Sequence, residues 1–209
     1  MMTNETQIYI DMDGTIVSYH DRFYLIYSLA CCKIGIKPMS RIDWLECRRT
    51  GTPTYSKEDE KKIFPIFDEM FESPEYLCFD RLIVGMDNVV NTLQKKYDTH
   101  IVSYRAKDKN LRDQLAGYGI ININTITKGF SHDTPPDEKA AMIRRVIPNP
   151  SGWIIGDSPH EIIAGQRLGL KTIAVTWGDK DRKTIQRYNP NFIVDSSKEI
   201  LDIINETTI

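Results

Sequence analysis

The stretch Ile8-Tyr9-Ile10-Asp11-Met12-Asp13-Gly14-Thr15 constrains this chain more than any other. Its first residues are β-branched or aromatic and read as a short buried strand. The strand delivers two carboxylates, one residue apart, into a Gly-Thr turn. Acids at the end of a buried strand are costly unless something pairs with them, and a cation is the simplest partner. In open α/β sheets, ligands bind outside the carboxyl ends of the strands. Asp11 and Asp13 are therefore the first candidates for chemistry.

The next clear strand runs from His100 to Tyr104, with a helix before it over Met86 to Tyr97. That helix alone could serve as the crossover between two parallel strands, which needs only about a dozen residues. The chain between Asp13 and His100 is far longer, so the excess is an insertion. Its pattern is helical. Asp21 to Ile34 is rich in Phe, Tyr, Leu and Ile and stops at Gly35; Ser40 can cap a helix through Arg49 that ends at Gly51; Ser56 with Asp59 opens a third helix through Met70. Pro65 should kink or split that third helix. The expected division is an α/β core over 1–17 and 83–209, with a small α-helical cap over 18–82.

Beyond His100 strands and helices alternate. Leu111 and Leu115 mark a helix, Ile120 to Thr127 a strand, and Thr134-Pro135-Pro136-Asp137 a helix start. Trp153 to Asp157 is a strand, Ser158 to Gly169 a helix, Lys171 to Thr176 a strand and Phe192 to Val194 an edge strand. This alternation predicts a doubly wound, mostly parallel, Rossmann-like sheet covered on both faces.

Bulk properties narrow the partners. With 209 residues, 27% charged, 41% hydrophobic and a net charge of −2, the chain reads as a soluble globular protein. It has no basic stripe for a nucleic acid polymer, no basic amphipathic segment for a membrane surface, and no apolar run near the roughly 18 residues of a membrane helix. The polar segment from Thr3 to Gln7 lacks a signal-peptide apolar region, and Cys31, Cys32, Cys47 and Cys78 match no zinc or redox spacing. A cytoplasmic protein is expected, of undetermined oligomeric state.

Several strand ends carry polar groups where a buried strand should offer apolar ones: Asp11 and Asp13, Ser103, and Asp157. Lys139 lies near the start of a helix that follows a strand. In a parallel sheet these groups converge on one edge. Acids there suit Mg²⁺, which takes oxygen ligands and keeps several waters. Asp11, Asp157 and the backbone carbonyl of Asp13 would serve it. Ser103 could hydrogen-bond a phosphate, and Lys139 could neutralise charge.

Asp11-Met12-Asp13-Gly14-Thr15 resembles the first motif of the haloacid dehalogenase-like hydrolase superfamily, Ile101-Val102-Ser103 its second, Lys139 its third-motif lysine, and Gly156-Asp157-Ser158-Pro159-His160-Glu161 its fourth. The helical insertion resembles the cap of the phosphoglycolate phosphatase-like branch. The resemblance implies Mg²⁺-dependent hydrolysis of a small phosphorylated metabolite through an aspartyl-phosphate. Asp11 would be the nucleophile and Asp13 the general acid–base. Ser103 would bind the transferring phosphoryl group, Lys139 would orient Asp11, Asp157 would ligate the metal, and Glu161 would support the metal site. Tyr104 and Arg105 join Ser103 and Lys139 as candidate phosphate-binding residues. To protonate the leaving group, Asp13 needs a raised pKa before cleavage.

Plainer readings stand beside these. Lys128 also follows a strand and competes with Lys139. Ser158 and Glu161 form a capping box with Pro159 at the first helical position. His160 reads as a surface residue of that first turn. The basic turn from Arg48 to Pro53 reads as solvated, although the resemblance implies that such a loop can reach the active site, and Phe23, Tyr24 and Tyr27 read mainly as cap core, with some residues lining the entrance. Alternative functions are a phosphomutase on the same fold and a non-catalytic phosphate- or nucleotide-binding regulatory protein.

Overall fold

The computed structural model describes residues 6–129 and 134–207. Six strands form one parallel sheet: β1 (Gln7–Ile10), β4 (Asp98–Ser103), β5 (Asn124–Thr127), β6 (Gly152–Gly156), β7 (Lys171–Val175) and β8 (Phe192–Val194). Their order is β5-β4-β1-β6-β7-β8, and every neighbouring pair is parallel.

Successive side chains of a strand point to opposite faces, and here each face meets its own core. Ile8, Ile10, Ile101, Trp153 and Ile155 pack with Val90 and Leu93 of α5 (Met86–Leu93), Leu111 and Leu115 of α6 (Asp108–Gly117), and Ile200 and Ile204 of α10 (Ser197–Thr207). Tyr9, Val102 and Ile154 turn the other way. They meet Ile143 of α7 (Glu138–Val146) and Ala164 of α8 (Pro159–Leu168). The sheet is thus covered on both sides, as the near-continuous apolar strands require.

Between the first two sheet strands the chain builds α1 (His20–Lys33), α2 (Arg41–Thr50), α3 (Lys57–Phe71) and the short α4 (Pro74–Leu77). Ser40 and Ser56 accept the backbone N–H of Asp43 and Asp59, so both caps form. These helices enclose an apolar cluster of their own around Tyr27, Ala30, Trp44 and Ile63. At their base, β2 (Val17–Ser18) pairs antiparallel with β3 (Arg81–Leu82), a ribbon that tethers the two chain crossings.

Three expectations need correction. Pro65 does not split α3, because buried Ile63 and Met70 anchor the helix on either side of it, and tertiary packing outweighs the lost N–H. The strand expected over Ile120 to Thr127 starts only at Asn124, since Asn122 adopts a left-handed backbone (φ 58°) that ends extended geometry; Ile120 and Ile123 still reach the core from the loop. Helix α5 stops at Leu93 rather than Tyr97. Among the described residues, no helix is long and apolar enough to cross a membrane. The four cysteines are free.

Candidate active site

Successive connections run away from β1 in opposite directions, so the sheet reverses its winding beside this strand. Such a switch point opens a crevice at the carboxyl ends of the strands. A cavity of about 700 Å³ lies there, lined among the described residues by Asp11, Asp13, Ser103, Tyr104, Lys139, Asp157 and Glu161, together with aromatic residues of α1 to α3. Of the eight residues that the sequence singles out for the site, seven share this cavity; Arg105 is not among its lining.

Asp11 and Lys139 form the centre. The Lys139 ammonium donates to Asp11 Oδ1 and to Glu161 Oε1, and it lies 5.0 Å from the centre of the Tyr104 ring. All three charged groups are buried. Burial raises the Asp11 carboxyl, Lys139 opposes that and Glu161 adds to it, leaving its pKa at about 7. Burial would lower the Lys139 ammonium, but Asp11 and Glu161 hold it well above the usual lysine range. Lys128 reaches Glu138 instead, at 2.5 Å, and its side chain is exposed. Of the two lysines considered, Lys139 is the one beside Asp11.

Glu161 closes the capping box and also contacts Lys139. One carboxylate oxygen accepts Lys139, and the other accepts the Ser158 N–H (3.0 Å) and hydroxyl (2.7 Å), closing the capping box of α8. Ser103 is buried at the end of β4, its Oγ accepting the Arg105 N–H at 3.3 Å. Tyr104 lies just past the strand, its hydroxyl 3.4 Å from His160 Nδ1.

Asp13 differs from the expectation. Arg105 grips its carboxylate with two bonds, Nε to Oδ2 at 2.8 Å and Nη2 to Oδ1 at 2.6 Å, and Arg22 of α1 adds a third at 2.5 Å. Both guanidinium groups also contact buried Asp80, and Arg105 reaches Gln114. Burial alone would raise the Asp13 carboxyl, but Arg105 and then Arg22 overcome it and hold it at about 2. The raised pKa expected of Asp13 is therefore absent: in this arrangement the group is a carboxylate. The same contacts correct Arg105 as a phosphate-binding residue. Its guanidinium is buried against Asp13, Asp80 and Gln114, and Arg105 is not among the residues that line the cavity.

Asp157, at the end of β6, has the opposite surroundings. Its Oδ2 accepts the backbone N–H of Asp179 at 2.6 Å, and no salt bridge reaches it among the described residues. Burial, Asp11, Glu161 and Asp179 all push its carboxyl well above the ordinary range. The carboxylate lies in a cradle that only glycines permit. A Cβ on Gly14, whose φ is +89°, would stand 2.2 Å from Asp157 Oδ2, and one on Gly178 would stand 2.2 Å from Asp157 Cβ.

Sequence reasoning passed over three buried charged residues. Arg22 and Asp80 complete the cluster around Asp13. Asp179 joins Asp157 to the insertion, because Arg48 of α2 donates to Asp179 Oδ1 at 2.8 Å and to the Tyr19 hydroxyl at 3.1 Å. Lys180 bonds the Arg48 carbonyl (2.5 Å), so the basic turn is docked rather than merely solvated. Signals existed for two of them. Arg22 shares a helical face with buried Ile26 and Ala30, where a charge must be paired. Asp179 follows a parallel strand, as Asp13 does.

The donor set fits a hard cation. Glu161 raises the proton affinity of Asp11, and Asp11 and Glu161 together raise that of Asp157, with Lys139 the ammonium between Asp11 and Glu161. Among the described residues no three His, Cys, Asp or Glu side chains already form a metal cluster. Mg²⁺ needs none, since one or two carboxylates, with water and substrate oxygens completing the shell, are its usual protein complement.

Comparison with known proteins agrees with the fold. The profile described as haloacid dehalogenase-like hydrolase matches residues 8–175. A Bacillus velezensis protein named pyrophosphatase PpaX is 26% identical over 209 residues, covering 95% of each chain. A haloacid dehalogenase-like family hydrolase from Streptococcus pneumoniae superposes with a TM-score of 0.78 at 18% identity, covering 97% of this chain and 99% of that one. A structure described as a predicted phosphoglycolate phosphatase from Haemophilus somnus gives 0.70 at 20% identity, covering 97% and 99%.

Proposed function

The chain belongs to the haloacid dehalogenase-like hydrolase family, and from that premise we propose that it is a Mg²⁺-dependent phosphatase acting on a small phosphorylated metabolite through an aspartyl-phosphate on Asp11. The observation that carries this reading is the buried triad Asp11–Lys139–Glu161, set in one cavity with Ser103 and Asp157. Relatives named pyrophosphatase and phosphoglycolate phosphatase support the same reaction class.

The roles follow from the contacts. Lys139 fixes the Asp11 carboxylate and offsets the negative charge that gathers as phosphorus is attacked. The Ser103 hydroxyl, buried at the rim, is placed to hold a phosphoryl oxygen. Asp157, the Asp11 side chain and the Asp13 carbonyl would hold Mg²⁺, which when bound neutralises phosphate charge. Glu161 supports the site by holding Lys139. Asp13, kept as a carboxylate by Arg105 and Arg22, is in the form that accepts a proton from the water that hydrolyses the aspartyl-phosphate. Before it could donate a proton to an alkoxide leaving group, that arginine grip would have to loosen.

Residues 18–82 form the cap in this reading. Their separate apolar cluster, the β2–β3 ribbon at their base and the Arg48–Asp179 bond over the cavity support a unit that shields the site from water. Four free cysteines suit a reducing cytoplasm.

The test is p-nitrophenyl phosphate turnover with and without EDTA, in the wild type and in Asp11→Asn. The expected result is metal-dependent turnover that falls by at least about 10⁴-fold in the variant. Wild-type rates in folded Asp11→Asn protein would overturn the assignment.

A further inference from the structure

The cavity is much larger than a phosphoryl group needs. Its 700 Å³ falls within the roughly 300–1,000 Å³ of sites that enclose drug-sized ligands. One end holds Asp11, Ser103, Lys139 and Asp157. The remainder is walled by the insertion, chiefly by Phe23, Trp44, Tyr55, Phe64, Phe67 and Phe71. Phe23 meets Phe67 and Phe71 edge-on, with ring centres 5.1 Å apart in both pairs, which holds the three rings as a fixed array. Phe23, Tyr55, Phe64, Phe67 and Phe71 are only partly buried. They therefore keep apolar surface exposed inside a concave site.

A leaving group attached to a phosphoryl group held at the acidic end would extend into this space, because the two ends are one cavity. The aromatic end is poorly suited to a second anion. Its nearby cations are already engaged: Arg48 by Asp179 and Tyr19, and Lys180 by Asp179 and the Arg48 carbonyl. Glu60 and Asp68 add negative charge to the same wall. A small hydroxy acid or an inorganic anhydride would leave the rings facing water. A flat ring system would cover them and gain the edge and face contacts that aromatic pairs favour.

We propose that the leaving group of this enzyme's substrate carries a flat aromatic ring system, of aryl or nucleoside type, seated against the Phe23–Phe67–Phe71 wall. The inference rests on the phosphatase reading and narrows its substrate class.

The experiment compares 1-naphthyl phosphate, AMP, glycerol 1-phosphate and inorganic pyrophosphate with wild type, Phe67→Leu and Phe64→Leu. Leucine keeps the apolar bulk and removes the ring. In parallel, Trp44 fluorescence reports binding of the same compounds to Asp11→Asn, with no need of turnover. The expected result is a kcat/KM for at least one ring-bearing ester about tenfold or more above that for glycerol phosphate. This advantage should shrink about threefold to tenfold in Phe67→Leu through KM. Fluorescence should respond to the ring-bearing phosphates alone. Whether AMP or naphthyl phosphate leads separates the nucleoside from the aryl source. Equal or better use of glycerol phosphate or pyrophosphate, or a preference untouched in both leucine variants, would overturn the inference. If no ester is hydrolysed, the phosphatase reading fails on its own, and the fluorescence response still decides whether the wall binds rings.

Discussion

Asp13 and Asp157 are both acids at the carboxyl ends of adjacent strands, yet their surroundings are opposite. Asp13 receives three bonds from two buried arginines and is pressed down to about 2. Asp157 receives one backbone N–H, faces three other carboxylates and is pushed well up. The protein supplies counter-charge from its own chain to one acid and withholds it from the other. Under the proposed function, the withheld charge is what a metal ion would supply.

The difference can be broken most forcefully at Asp13. In Asp13→Ala, Arg22 and Arg105 remain buried with Asp80 as their shared carboxylate partner. Removing one member of a buried ion cluster costs about 3–5 kcal/mol, and Asp80 keeps the expected loss to about 3 kcal/mol in urea unfolding. A loss below about 1 kcal/mol would show that the arginines do not depend on Asp13.

The next effect in size is a pH dependence. The folded-state pKa of Asp11 is raised, so between about pH 4 and 7 the folded protein binds more protons than the unfolded chain, and stability falls as pH rises through that window. Asp13 has the opposite sign: its contribution is present above about pH 4 and is lost as pH falls toward 2. Thermal melts in EDTA should peak near pH 4–5 and decline by roughly 2 kcal/mol toward pH 8, less than full linkage would give because Asp11 shares its protons with the neighbouring acid Asp157. Magnesium should flatten the upper arm. A curve in EDTA that rises steadily to pH 8 contradicts the charge pattern.

Asp157→Asn is expected to do the reverse of Asp13→Ala. Asparagine still accepts the Asp179 N–H while removing an acid whose ionised form burial and three neighbouring carboxylates disfavour. The EDTA-treated protein should melt about 2–4 °C higher, and magnesium should no longer stabilise it. Smallest is Ser158→Ala, which opens the capping box at the start of α8 and should cost about 1 kcal/mol in the same melts.

How much of this was legible in the sequence depended on distance along the chain. Asp11, Ser103 and Asp157 end strands whose apolar runs mark them unambiguously, and the sheet then brings them together without further information. Lys139 was readable from its place near a helix start, though only the fold separates it from Lys128. The partners of Asp13 were not readable. Arg22 and Asp80 lie on opposite sides of the insertion and meet only because the β2–β3 ribbon closes its base, a pairing of two short strands with little apolar pattern. Arg105 was given the wrong partner for the same reason: a residue near a phosphate-binding serine looks destined for phosphate until Asp80 and Gln114 are known to be on its other side. The aromatic residues of the insertion read from sequence as cap core with some lining the entrance, and many do pack. Their second face, toward the cavity, depends on how the helices sit over the sheet.

The glycine cradle has a use beyond this molecule. Positions 14 and 178 lie far apart in the chain, yet each excludes a methyl group for the sake of the same carboxylate. A related sequence bearing alanine or anything larger at either position must have moved that acid. The two positions can therefore sort relatives that retain this geometry from those that have abandoned it, before any of their structures is known.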